Sequence, residues 1–296
     1  MPRLPCSSVF SVENSSFPSA RRTFYTVSKP KGRIRTRSAA CFGNWTLGVE
    51  RWALIATAAC TFAPHRAPFA MLQGPDVVLA CPHCQSLARL FTVANPDPSG
   101  AVSWSDGYQE MPLTPTQPNL SRCKNCGKLM WVADCPPVGM IDENHPLPEH
   151  EEWKKLPYVE PVEEADYLEA LKSGMAPEPE RETELRVFAW WRANDRHRRN
   201  EGPGRYPQSP EAVENLEKLV ELLKDGEHEF VLFRAEALRQ LGRFDDARDI
   251  LHGICSDYAI AREMLAGLIE KKSRDVEVLF SEPLVAEQQA SAESFS

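Results

Sequence analysis

Two short cysteine pairs constrain this chain more than any other feature. Cys81-Pro82-His83-Cys84 and Cys123-Lys124-Asn125-Cys126 each hold two thiols on one tight turn, and 38 residues separate the pairs. A C-x-x-C turn aims two sulfurs at one ion, and two such turns complete a tetrahedron of thiolates about 2.3 Å from a divalent metal. The turn's backbone amides can donate to those thiolates. Gly127 follows the second pair and supplies the positive-φ residue that such a turn favours. Gln85 stands at the equivalent place after the first pair, so that turn is expected to be less regular. A β-branched run, Val77-Val78-Leu79-Ala80, leads into the first pair, and Leu129–Val132 leads away from the second.

From about Val77 to Val132 the chain resembles a zinc ribbon, in which two cysteine knuckles ride on short β-hairpins. The resemblance implies one structural zinc ion held by Cys81, Cys84, Cys123 and Cys126. Four thiolates close the coordination shell, so the metal is expected to hold the fold together and to do no chemistry. That contribution matters, because a domain of about 60 residues is marginal on core burial alone, whereas zinc binding supplies about 10–16 kcal/mol of apparent folding free energy. The spacer is longer than the roughly 15–20 residues of compact sites. It carries Trp104, Tyr108 and five prolines, so an excursion of strands and turns is expected there. His83 reads as a spacer, Cys135 as an unpaired thiol or a substitute ligand, and Cys255 as a small core residue on a helix. A competing reading takes the first pair alone. Cys81-Pro82-His83-Cys84 also resembles the dithiol of thioredoxin-fold oxidases, with a strand before it and a helix over Gln85–Phe91. The second pair, and the lack of a βαβ pattern after it, weigh against that reading.

Charge divides the 296 residues unevenly. Residues 1–70 hold ten Arg and Lys against two acids and fourteen Ser and Thr, although the whole chain carries a formal net charge of −8. This stretch reads as an extension upstream of Met71 or as an organelle transit segment, which mass spectrometry of the native N-terminus would distinguish. A start at Met71 implies a cytoplasmic protein, and cleavage within 1–70 implies import. The apolar run Trp52–Ala63 is too short to cross a bilayer, and no run of 18 uncharged apolar residues occurs. The acidic balance argues against the whole chain being a non-specific nucleic-acid or anionic-membrane binder. Residues 141–182 hold six prolines and 13 acids against four bases, which reads as a solvated acidic linker. One short helix is expected within it, starting near Pro161, with Tyr167, Leu168 and Leu171 on one face and Gly174 at its end. His145 and His150 read as loop histidines.

Helical periodicity begins near Glu180, where Leu185, Phe188, Ala189 and Trp191 share a stripe. Ser209-Pro210-Glu211 is a helix start with an N-cap, a proline at the first position and an acid in the first turn. Val231–Leu241 and Phe244–Leu251 form two amphipathic segments around Gly242. Ala235, Leu238, Gly242, Phe244 and Ala247 resemble the signature of one tetratricopeptide repeat, without its usual tryptophan and closing proline. A further helix over about Tyr258–Lys271 resembles a cap, and ordinary bundle packing is the plainer alternative. The expected fold class is therefore α+β. A β zinc-ribbon domain (71–140) is followed by the acidic linker (141–182), a helical repeat-like domain (183–275) and a tail with a short extended piece (276–296).

No phosphate-binding loop, dinucleotide fingerprint, H-E-x-x-H or nucleophile elbow is present. The leading expectation is a non-enzymatic interaction protein whose helices meet a protein or peptide partner. Nucleic-acid binding is a second reading, through the ribbon and through Trp190, Trp191, Arg192, Arg196, Arg198, Arg199, Arg205 and Tyr206. Between Cys81 and Trp131, however, four bases meet three acids, which is thin against phosphate. The tryptophans and arginines also read simply as packing and helix-dipole complementation. The third reading is the Cys81–Cys84 oxidoreductase.

Overall fold

The computed structural model describes residues 72–142, 145–199, 201, 209–226, 228–254 and 258–281. The readings made for residues 1–70, Cys255, Arg205 and Tyr206, and the chain beyond Ser281, lie outside them. The described residues belong to one unit, Gly43–Ser296. They form a mixed α+β fold of small antiparallel sheets and seven helices.

The strands come first. β1 (Leu72–Gln73), β2 (Asp76–Ala80), β3 (Leu87–Leu90) and β4 (Val93–Asn95) follow in order, with β1 pairing β4 and β2 pairing β3. The β2–β3 register runs from Val77↔Leu90 to Ala80↔Leu87, which leaves Cys81–Ser86 as the hairpin tip. β5 (Val102–Trp104) and β6 (Gln109–Glu110) form a second hairpin, the excursion expected inside the spacer. β7 (Leu120–Arg122) and β8 (Leu129–Trp131) form a third, closing Arg122↔Leu129 around Cys123–Lys128. β9 (Pro137–Ile141) returns to the free side of β2.

β8 joins two cores. Period-2 alternation sends neighbouring side chains to opposite faces of a strand. Leu129 and Trp131 pack with Val162, Tyr167, Leu185 and Ala189, whereas Met130 and Val132 pack with Cys81, Cys123 and Cys135. One three-residue strand therefore ties the cysteine turns to the helices.

The acidic stretch 141–182, expected as a solvated spacer, is packed against the fold. Arg89 N–H donates to the Pro157 carbonyl and Val159 N–H donates to the Arg89 carbonyl, so Tyr158 lies parallel to β3. Val159 and Val162 are buried. Composition counted over the whole segment hid these few apolar positions, and several of its acids have cationic partners. Lys124 pairs with Glu160, and Arg122 pairs with Asp166 and, at 2.8 Å, with Glu169. After α1 (His150–Trp153), α2 (Glu164–Lys172) has Glu163 as its N-cap, whose N–H is capped by Asp166 at 3.1 Å, so the helix begins three residues past Pro161. Tyr167 and Ala170 face inward, and Gly174 follows the helix at φ +73°. His145 is an exposed loop residue beside Asp142. His150, expected in a loop, is instead buried at the start of α1 and stacks on Trp153 at 5.5 Å.

α3 (Pro179–Arg198), α4 (Pro210–Leu222), α5 (His228–Gln240), α6 (Phe244–Leu251) and α7 (Ala259–Glu270) build the largest core. The Ser209 hydroxyl accepts from Ala212 N at 3.1 Å, the N-cap legible in Ser-Pro-Glu. Ala235, Leu238, Ala247, Ala261, Leu265 and Ile269 are fully or almost fully buried along α5, α6 and α7. Alanine at the closest positions lets neighbouring helices approach. The last described strand, β10 (Val278–Ser281), comes back to pair with β5, so the end of the helical region is stitched to the spacer between the cysteine pairs. No helix among the described residues is long and apolar enough to cross a membrane.

Candidate metal centre

Each cysteine pair sits at the tip of an antiparallel hairpin, and both tips close by the same pattern. Cys81 N–H donates to Ser86 O at 2.8 Å and Gln85 N–H donates to Cys81 O at 2.9 Å. In the second turn Cys123 N–H donates to Lys128 O and Gly127 N–H donates to Cys123 O, both at 2.9 Å. The fifth residue of each turn has left-handed backbone, Gln85 at φ 62° and Gly127 at φ 71°. The first turn is thus as regular as the second, against expectation. Gln85 accepts a conformation that costs an ordinary L-residue about 1–2 kcal/mol, and its amide Nε2 donates to Cys81 O at 3.3 Å. Gln85→Gly should therefore raise unfolding free energy by about 0.5–1 kcal/mol with unchanged metal content. A denaturant titration showing destabilisation would refute that account of the turn.

The two tips bring four sulfurs together. Cys81 Sγ lies 3.9 Å from Cys126 Sγ, and Cys84 Sγ lies 3.7 Å from Cys123 Sγ. All four lie within 4.8 Å of one another. Tetrahedral thiolates around zinc stand about 3.8 Å apart, the edge of a tetrahedron with 2.3 Å bonds. No pair is bonded as a disulfide, and Cys81 and Cys123 are buried while Cys84 and Cys126 are half-buried.

The surroundings suit thiolates. His83 N–H donates to Cys81 Sγ at 3.4 Å. The Ser86 hydroxyl lies 3.1 Å from Cys84 Sγ and 3.2 Å from Cys123 Sγ, and Asn125 Nδ2 donates to Cys84 Sγ at 3.5 Å. Burial pushes the Cys81 thiol up to about 12, while the hydrogen bonds from Ser86 and Asn125 bring Cys84 down to about 5. Without a cation, sulfurs this close cannot all ionise, and so they divide. A divalent ion reverses that logic, because a coordinating thiol is deprotonated outright.

Comparison of the chain with family models, curated proteins and solved structures finds no match.

Function must therefore be argued from the site. The ring of His83 is turned away: Nε2–H donates to the Leu129 carbonyl at 3.0 Å, linking the first turn to the second hairpin. Cys135 does not join the cluster. Its thiol donates to the Trp131 carbonyl at 3.3 Å, and burial pushes its pKa up to about 11. A cleft of about 260 Å³ opens beside Cys81 and Cys123, lined by Leu79, Met130, Tyr158 and Val159 among others, with no carboxylate or imidazole in its wall. The segment after the first pair, which the dithiol-oxidase reading needs as a helix, is strand β3.

Of the residues nominated for a nucleic-acid patch, Trp190, Trp191, Arg192 and Arg198 are held within the fold, whereas Arg196 and Arg199 are exposed. Trp190 Nε1–H donates to Gln240 at 2.8 Å, and Trp191 Nε1–H donates to the Asp106 carbonyl at 2.9 Å. Arg192 pairs with Asp195 at 2.9 Å, Arg199 pairs with Asp195 at 3.5 Å, and Arg198 pairs with Asp195 and Asp106. Sequence reasoning missed Ser86 and Asn125, whose roles need the two turns in contact. It also missed Ser105, Asp106, Glu236 and Arg239, a buried polar group joining the β5–β6 tip to α5. The only local sign was the Asp106-Gly107 turn dipeptide.

Proposed function

We propose that the chain is a non-enzymatic, zinc-binding interaction protein. Its zinc ribbon carries one structural Zn²⁺ on Cys81, Cys84, Cys123 and Cys126, and its tetratricopeptide-like helices form a platform for a protein or peptide partner. The convergence of four sulfurs within 4.8 Å carries this reading. An all-sulfur tetrahedral shell suits zinc or iron and leaves no open position for substrate or water. Structural thiolates of this kind fit a reducing compartment such as the cytoplasm. Metal analysis is expected to find one zinc per chain. Cys81→Ser, Cys84→Ser, Cys123→Ser and Cys126→Ser should each give soluble protein with less metal or none. Iron in place of zinc, or full zinc retention in any of these variants, would sink the assignment.

Two alternatives have separate tests. Nucleic-acid binding predicts an electrophoretic shift at low salt, but Arg122, Lys124, Arg192 and Arg198 already have carboxylate partners. A dithiol oxidoreductase predicts insulin reduction that is lost in Cys81→Ser and kept in Cys126→Ser. Neither activity is expected.

A further inference from the structure

The four sulfurs come from two turns, and one hydroxyl reaches both. Ser86 stands where the first turn closes, its carbonyl accepting from Cys81 N–H at 2.8 Å. That bond fixes the backbone from which its side chain projects. The hydroxyl lies 3.1 Å from Cys84 Sγ on its own turn and 3.2 Å from Cys123 Sγ on the other. Among the described residues no other side chain outside the cysteines is within hydrogen-bond reach of a sulfur on each turn. Asn125 crosses in the opposite direction, but it is exposed and its contact with Cys84 Sγ is longer, 3.5 Å.

A hydroxyl carries one hydrogen, so it donates to one of the two sulfurs at a time. When both are thiolates that hydrogen meets a full negative charge whichever way it turns, and charge-assisted hydrogen bonds are about twice as strong as neutral ones. Against two neutral thiols it meets only weak donors and weak acceptors. The hydroxyl therefore favours the ionised form of the cluster, which is the form that a metal requires. It also ties the turns together at the sulfurs themselves, where a small displacement changes the shape of the donor set.

We propose that Ser86 is a positioning residue of the metal centre, whose hydroxyl spans the two turns, favours Cys84 and Cys123 as thiolates and so sets how tightly the site takes zinc. The proposal rests on the reading of the four cysteines as a zinc site and adds to it a residue outside the ligand set. Nothing in the C-x-x-C pattern names this serine, because it acts on a sulfur 37 residues away.

The test is the zinc affinity of the full chain, measured by competition with a chromophoric chelator. The wild-type chain is titrated first, and its failure to hold zinc overturns the metal reading before any variant is compared. Ser86→Ala is expected to weaken zinc binding by about 10–100-fold, the cost typical of losing a group that orients a metal ligand. Ser86→Thr keeps the hydroxyl and should restore most of that loss, and Asn125→Ala should cost less than Ser86→Ala. Cobalt(II) supplies a readout that simple destabilisation would not move. A thiolate without its hydrogen bond gives charge to the metal more readily, so the sulfur-to-cobalt absorption of Ser86→Ala should move to longer wavelength and return in Ser86→Thr. Metal-free Ser86→Ala should unfold at nearly the same denaturant concentration as metal-free wild type. Wild-type zinc affinity in Ser86→Ala, an unmoved cobalt spectrum, or an equal loss in Ser86→Thr overturns the proposal. So does an equal loss of stability with and without metal, which would make the serine a brace of the turn alone. If Ser86→Ala does not fold, Ser86→Val set against Ser86→Thr isolates the hydroxyl at constant shape, and equal zinc affinity in that pair is equally decisive.

Discussion

Loss of the metal is expected to lower the melting temperature by more than about 10 °C and to disturb the helices as well as the cysteine turns. At about 2–4 °C per kcal/mol for a domain of this size, that corresponds to several kcal/mol. The full 10–16 kcal/mol of an isolated zinc finger should not be lost, because hairpin β7–β8 keeps apolar contacts that need no metal. Leu129 and Trp131 of β8 pack against α2 and α3, and Trp131 Nε1–H donates to the Met175 carbonyl at 2.9 Å. Met130 and Val132 of the same segment pack around Cys81 and Cys123. Without a cation the charges of four clustered thiolates cannot coexist, so the second face of β8 should lose its order. Strand registers are set by the burial of one face, so a loosened β8 keeps Leu129 and Trp131 on α2 and α3 but holds them there less firmly. The check is thermal unfolding of wild-type and Cys123→Ser protein, followed by circular dichroism at helical wavelengths and by tryptophan emission. The two probes should shift together in the variant. Helical melting unchanged to within about 2 °C would show that the cysteine turns and the helices are energetically separate.

The parts legible in the sequence are those fixed by a few neighbouring residues. Two C-x-x-C pairs specify two tight turns, and the β-branched run before Cys81 specifies the strand that carries the first. Ser209 and Pro210 specify a helix start through a hydroxyl cap and a preset φ. The stripe of Ala235, Leu238 and Ala247 specifies buried helix faces in the same local way. What was not legible depends on partners distant in the chain. β10 pairs with β5 across the whole helical region, and nothing in Val278–Ser281 names that strand. Glu236 and Arg239 look like ordinary surface residues three apart on a helix until the spacer hairpin is placed over them. In 141–182 the average charge points to solvation, whereas the placement of the segment rests on Val159, Val162 and Tyr167 together with acids that meet Arg122 and Lys124. Gln85 shows the same limit in reverse: the turn's closing hydrogen bonds and the Gln85 amide hold a left-handed residue that local preference disfavours.

Arg239→Met is expected to cost about 3–5 kcal/mol, the largest loss for any single substitution outside the cysteines. Arg239 and Glu236 have fully buried side chains. The guanidinium donates from Nε to Glu236 Oε2 at 2.7 Å and from one terminal nitrogen to Oε1 at 2.6 Å. It also donates to the carbonyls of Ser273 and Asp275, which lead into β10. Removing it leaves a buried carboxylate and two carbonyls without their donor, and that desolvation cost, more than the lost attraction, sets the magnitude. The pH dependence follows from the same charge. Burial raises the pKa of Glu236, with Arg239 and Ser105 opposing. In Arg239→Met the main opposing charge is gone, so the folded-state pKa moves further above the unfolded value of about 4.3. A group whose folded pKa is raised binds more protons when folded, so its contribution is retained at low pH and lost as pH rises through that window. The deficit of Arg239→Met should therefore be smaller at pH 5 than at pH 8. Glu236→Leu combined with Arg239→Met should be less destabilised than Arg239→Met alone at pH 8, since no charge remains buried. Denaturant midpoints of the three proteins at both pH values decide the matter. A deficit independent of pH, or a double variant worse than the single, would mean that Glu236 is neutral in the native fold and that Arg239 acts through the Ser273 and Asp275 carbonyls alone.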